Sequence, residues 1–127
     1  MKKMIINDDY AMLTIDPDTT DKNGRLVLFE FSGYSTSHAD GTRYYESVGR
    51  FMLGWKDLAK INYVLHGCSE CETFSGVCIS HRVIDGKGFY IFSHFCDEDY
   101  ELSVSNIEAE ALSLVVSRLI TQTAIGM

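Results

Sequence analysis

Two turn dipeptides constrain this chain more than any other feature. Asn23-Gly24 and Asp85-Gly86 each stand between runs that alternate in the two-residue period of a strand, and both favour the backbone of a tight hairpin. Around the first, Ala11 to Ile15 and Arg25 to Phe31 read as partners. Leu26, Leu28 and Glu30 fall on one face of the second strand, and Val27, Phe29 and Phe31 on the other. Around the second, Val77 to Ile84 and Phe89 to Phe95 read the same way. Asn62 to His66 reads as a short strand and Tyr100 to Val104 as a further one.

Two stretches carry a helical period. Tyr44, Val48, Phe51, Met52, Trp55, Leu58 and Ala59 recur at i, i+4, i+7, i+8, i+11, i+14 and i+15, which predicts an amphipathic helix after the polar loop Gly33 to Gly41. Asp40 or Thr42 would cap it, while Gly49 and Gly54 each weaken it by about 1 kcal/mol. The last helix has the clearest start. Ser105-x-x-Glu108 is a capping box, Glu108 and Glu110 suit the positive end of the helix, and Arg118 suits the far end. Ile107, Ala111, Leu112, Leu114, Val115, Val116, Leu119 and Ile120 cover most of its circumference, which predicts a largely buried helix.

Hairpins dominate and βαβ alternation is missing. The expected fold is therefore α+β: one globular domain over residues 1–127, with a mostly antiparallel sheet of five to six strands and two helices packed on it. A chain of 127 residues buries roughly two-thirds of the surface its unfolded form exposes, so it needs no disulfide or metal to hold together.

Charge narrows the partners. Eighteen acidic residues against eleven basic ones leave a net charge of −7, which opposes binding to nucleic acid or an anionic membrane and favours a basic partner. No apolar run approaches the length of a membrane span. Met1 to Ile6 begins like a signal peptide, but Asn7-Asp8-Asp9 interrupts it at once, so the expected location is cytoplasmic. Cys68, Cys71, Cys78 and Cys96 are then expected to be reduced.

Candidate chemistry is sparse. Cys68-x-x-Cys71 followed by Cys78-x-x-His81 offers three thiolates and an imidazole for tetrahedral zinc. Strand alternation from Val77 to Ile84 would aim Cys78 and His81 at opposite faces, and three buried thiols with a surface histidine is the plainer reading. Neither a zinc site nor any other cofactor is expected. The context of a redox Cys-x-x-Cys is missing, since no helix begins at Cys71. A thiol nucleophile paired with His38, His66, His81 or His94 has no local signature. Ser35-Thr36-Ser37-His38-Ala39-Asp40 groups hydroxyls, an imidazole and a carboxylate, but such residues bond to their own backbone in turns. Gly88 to Ser117 lacks Lys and Arg and carries six carboxylates. Within it Asp97, Glu98, Asp99, Tyr100 and Glu101 combine charge with an aromatic anchor, the make-up of a surface for a basic partner.

In overall profile the chain resembles bacterial toxin-immunity proteins, including those of contact-dependent growth inhibition systems. The resemblance rests on size, acidity and the lack of a catalytic motif, and it transfers no site residue. It implies a non-enzymatic binding protein that neutralises a basic toxin domain, for example a nuclease. Two other classes stay open: a small zinc- or thiol-dependent enzyme using Cys68, Cys71, Cys78 and His81, and an accessory subunit of a larger assembly.

Overall fold

The computed structural model describes residues 3–17, 26–67, 70–72, 76–95 and 97–125, with the backbone alone described at 70–72, 97, 98 and 125. The elements are β1 (Met4–Asn7), β2 (Ala11–Asp16), β3 (Val27–Thr36), β4 (Arg43–Leu53), α1 (Trp55–Leu65), β5 (Glu70–Glu72), β6 (Val77–Ile84), β7 (Lys87–His94), β8 (Asp97–Val104) and α2 (Asn106–Ile125). The class is α+β with two helices, as expected, but the strands do not form one sheet. They divide into two antiparallel four-stranded sheets, ordered β1-β2-β3-β4 and β5-β6-β7-β8. Every pairing joins sequence neighbours, so each sheet is a meander followed by one helix.

Both predicted strand pairs form, although the Asn23-Gly24 turn lies outside the described residues. β2 pairs with β3 through Leu13 opposite Phe31 and Ile15 opposite Phe29. β6 pairs with β7 so that Ile84 faces Lys87 across a two-residue turn. Asp85 and Gly86 there have φ of 53° and 79°, positive at both positions as the mirror-image type I turn of tight hairpins demands. β1, which the sequence pattern does not announce, adds an edge to the first sheet.

The predicted helix from Tyr44 to Ala59 is a strand for most of its length. Arg43–Leu53 pairs with β3, and the helix begins only at Trp55 and runs on through Asn62–Leu65, a stretch the sequence reads as a strand. The register explains the error. Phe31 faces Gly49 but Ser32 faces Ser47, so Val48 is an extra residue in β4. A bulge of this kind shifts the phase of a period-two pattern, and the shifted pattern mimics a helical one. Within α1, Leu58, Ile61 and Val64 are buried.

The capping box of α2 forms as expected. Glu108 N–H donates to Ser105 Oγ at 3.2 Å, and Ser105 N–H donates to Glu108 Oε1 at 3.2 Å. The helix is less buried than expected. Ala109, Leu112, Val116, Leu119 and Thr123 line a single inner face, while Ile107, Ala111 and Leu114 are exposed.

One apolar cluster joins everything. Ile6, Leu13, Phe29, Phe31, Phe51 and Leu53 of the first sheet meet Val77, Ile79, Phe92, Leu102 and Val104 of the second, with Leu58, Ile61, Leu112 and Leu119 from the helices. The helices pack on each other, α1 also against β5 and β6, α2 also against β7, and β8 lies against β1 and β2. Phe31 is the hub: its ring is 5.9 Å from Phe51, 6.2 Å from Phe92, 4.9 Å from His94 and 5.5 Å from Tyr100, centroid to centroid. Nearby, Gly76 at φ +93° sits under the Phe95 ring, where a Cβ would come within 2.1 Å of a ring carbon. No helix among the described residues is long and apolar enough to cross a membrane.

Replacing Ser105 with Ala removes the cap of the 20-residue α2. Urea denaturation of Ser105→Ala is expected to show a loss of about 1 kcal/mol at an unchanged m-value.

Candidate protein-binding surface

Beyond the bulge, the β3–β4 hairpin leaves the core. Burial along β3 is continuous or nearly so through Ser32, then falls to an alternation of half-buried and exposed positions from Gly33 to Thr36. The outer arm pairs Gly33 with Glu46, Tyr34 with Tyr45, Ser35 with Tyr44 and Thr36 with Arg43. Aromatic and hydroxyl residues suit a strand exposed on both faces, because their ring area packs against cross-strand neighbours.

The arm is held in shape by specific contacts. The Tyr34 and Tyr45 rings stack at 4.0 Å, and the Arg43 guanidinium lies 3.9 Å over the Tyr34 ring. Arg43 Nη2 donates to the Asp9 carbonyl at 3.2 Å, and Tyr34 N–H donates to the Tyr10 carbonyl at 3.3 Å. These bonds tie the arm to the β1–β2 turn. Asp8 fixes that turn in its own right, accepting from the N–H groups of Tyr10 at 2.7 Å and Ala11 at 2.8 Å on one oxygen, and from Ser103 N–H at 2.9 Å on the other.

The tip residues Ser37 to Thr42 close on themselves. Ser37 N–H donates to the Thr42 carbonyl at 2.8 Å, and Thr42 N–H donates to Asp40 Oδ1 at 3.0 Å. Hydrogen bonds from the Thr42 hydroxyl and N–H hold the Asp40 carboxyl below its ordinary range, so it stays charged at neutral pH. The Ser37 hydroxyl and the Asp40 carboxylate of this loop thus make a turn, as the sequence reading expects, but Asp40 and Thr42 cap no helix, since the strand β4 follows them.

The outcome is a surface with exposed tyrosines and carboxylates. Tyr10 is 78% exposed, Tyr44 47% and Tyr34 37%. Asp9, Asp40 and Glu46 are exposed beside them, and Glu46 Oε2 accepts from the Ser35 hydroxyl at 2.8 Å. Tyrosine supplies large contact area at low conformational-entropy cost, and carboxylates around it favour a basic counterpart.

The residues singled out in the sequence fare differently. Asp97–Glu101 lies at the start of the edge strand β8; Asp99 and Glu101 are exposed, and the side chains of Asp97 and Glu98 lie outside the described residues. Glu101 pairs with Arg82 at 3.3 Å, so a strand with no cation of its own receives one from β6. Tyr100, expected to anchor a partner, is only 7% exposed. Its hydroxyl is 2.8 Å from the Ser32 carbonyl and 3.1 Å from the Met12 carbonyl, and it shares its single proton between them. Tyr100 fastens one sheet to the other, and its ring is out of a partner's reach.

Of the cysteine cluster, Cys68 lies outside the described residues, as does the separate Cys96, and Cys71 is described in its backbone alone. Cys78 is half-buried and His81 is exposed on the same strand, with the His81 ring 4.9 Å from that of Tyr90. Three residues apart on a strand, the two diverge. Among the described residues no group of three His, Cys, Asp or Glu side chains could hold a metal ion. His94 is enclosed by Phe31, Phe51 and Tyr100.

The tyrosine surface is invisible in the sequence reading because Tyr44 and Tyr45 fall inside a predicted helix. The signal against that helix is local: two glycines within it, and a run of aromatic and β-branched residues from Thr42 to Phe51. Comparison of the chain with protein-family models, curated proteins and solved structures finds no match.

Burial holds the Tyr100 phenol well above its ordinary value of 10.0. The protonated phenol therefore contributes stability that is complete below about pH 10 and declines as pH rises above it, where the unfolded chain ionises first. Tyr100→Phe is expected to cost about 1–3 kcal/mol at pH 7, since two buried carbonyls lose their donor. In urea titrations the gap between the two proteins should narrow from pH 9 to pH 11 (~2 units spanning the ordinary phenol value).

Proposed function

We propose that this chain is a non-enzymatic binding protein that neutralises a basic protein partner, in the manner of an immunity protein that blocks a toxin, and that the β3–β4 arm with the β1–β2 turn is its main contact. One observation carries this reading: the arm exposes tyrosines on both of its faces, Tyr34 on one and Tyr44 on the other, with Tyr10 in the adjoining turn, and Asp9 and Glu46 are exposed on the same elements. Aromatic anchors dominate binding energy at interfaces, and the charges about them set encounter rate and orientation. A net charge of −7 extends the attraction beyond contact range at low salt.

The acidic strand β8 takes a secondary part. Asp99 and Glu101 are exposed on an edge and add to the field that draws a cationic surface in, without an aromatic anchor of their own. An immunity role accounts for tyrosines kept in solvent. A cytoplasmic location follows from that role.

Affinity capture from the native host's lysate at low salt, read by mass spectrometry, tests the proposal. The expected result is one stoichiometric basic protein released by raising the salt. Tyr44→Ala should weaken its binding by roughly 2 kcal/mol, mainly through faster dissociation, whereas Asp9→Lys with Glu46→Lys should mainly slow association and flatten its salt dependence. Asp97→Lys with Asp99→Lys should have the smaller effect of the same kind. Equal binding by Tyr44→Ala and the parent protein sinks the assignment of the arm.

A further inference from the structure

Away from the arm, the two helices and β7 enclose a groove of about 580 Å³ lined by Leu65, His66, Tyr90, Ala109, Glu110 and Leu114, with Asn106 and Ser113 completing it. Its volume lies in the range of small-molecule sites. The walls are partly apolar, and Leu114 at its rim is 68% exposed. Polar atoms within it are ordered. Ser113 Oγ donates to Asn62 Oδ1 at 3.3 Å and lies 3.0 Å from His66 Nε2. These contacts gather a hydroxyl, an amide and an imidazole at one end of the groove.

Two helix ends meet in the groove: the positive end of α2 arrives with Asn106 and is answered by Glu108 and Glu110, and the negative end of α1 arrives from the other side. Among the described residues no Lys or Arg lines the groove, and Glu110 brings a carboxylate that takes part in none of their ion pairs. The C-terminal end of α1 arrives there with Leu65 and His66, and its last turn holds no basic residue, so the negative pole of the helix is uncompensated. Glu110 and the α1 pole favour a donor-bearing cation, and Tyr90 adds an aromatic ring to the wall.

We propose that the groove binds a small organic cation, an ammonium or guanidinium carried on an apolar body, with Glu110 holding the charge and Leu65, Ala109, Tyr90 and Leu114 covering the body. The volume exceeds what one basic side chain of a protein would fill, which favours a free small molecule as the occupant. The site shares no residue with the tyrosine arm and stands or falls apart from it.

The test is a titration of the ¹⁵N-labelled full chain, followed by NMR at pH 8, with phenethylamine as the probe and 2-phenylethanol and phenylacetate as its neutral and anionic counterparts. Phenethylamine should shift the amide signals of Leu65, His66, Glu110 and Ser113 saturably, with the alcohol about tenfold weaker and the acid weaker still. Glu110 is exposed, so Glu110→Gln should keep the parent spectrum, lose about tenfold in affinity for the amine and leave the alcohol unaffected. Equal binding of amine and alcohol, no saturation by about 10 mM amine, or an unchanged affinity in Glu110→Gln would each overturn the proposal. N-acetyl-arginine amide binding more tightly than phenethylamine would overturn the free small molecule as occupant and assign the groove to a partner's side chain. Tyr44→Ala should leave the amine titration unaltered, so the arm and the groove are judged separately.

Discussion

The fold depends on a ring cluster at the junction of two sheets that share no ladder of hydrogen bonds. Phe31 of β3 lies at its centre, with Phe51 beside it and Phe92, His94 and Tyr100 arriving from the second sheet. Rings in tilted and edge-on arrangements gain from their quadrupoles as well as from burial, but such contacts alone set position loosely. The Tyr100 hydroxyl supplies direction, since its bonds to the carbonyls of Met12 and Ser32 fix β8 against β2 and β3. Asp8 does the same at the edge by accepting from Ser103 N–H while it shapes its own turn. Two directional links and one apolar joint thus replace a continuous sheet, and the arm grows out of the strand that carries the joint.

What the sequence makes legible are features whose cause is local. The Asp85-Gly86 turn needs positive φ at two successive residues, and the dipeptide announces it. The start of α2 is a reciprocal pair of side-chain caps within four residues. What stays hidden is set by partners far along the chain. Val48 belongs to a bulge only because β3 pairs with β4 on both sides of it, and the extra residue turns an alternating pattern into one with a helical look. The split into two sheets is hidden for the same reason, as nothing local states that β4 and β5 decline to pair. Ile107 and Leu114 read as core but are exposed, because apolarity around a whole helix does not say which side another element will cover.

The candidate surface shows the same division. The chemistry expected of it, aromatic anchors among carboxylates, is present in the molecule at another address. Tyr100 has the right neighbours in sequence and the wrong ones in space, since alternation along β8 puts Asp99 and Glu101 outside and Tyr100 within. Tyr10 and Tyr34 are brought together only when Tyr34 N–H meets the Tyr10 carbonyl, and Tyr44 stands on the other face of the same arm. The cysteine spacing, by contrast, carries no geometric support where it is described, for Cys78 and His81 stand on one strand with opposite orientation.

Each sheet is made wholly of strands that follow one another in the chain, with a helix at the end of each run. Meanders of this kind close short loops, and short loops cost little entropy to close. The joint around Phe31 links residues some sixty or more positions apart, as with Tyr100 and Ser32, separated by 68, so it forms against the larger loop cost. The topology thereby divides the cost of assembly unevenly: near-neighbour pairing within each half closes short loops, and the docking of the halves through a handful of rings carries the long-range closure.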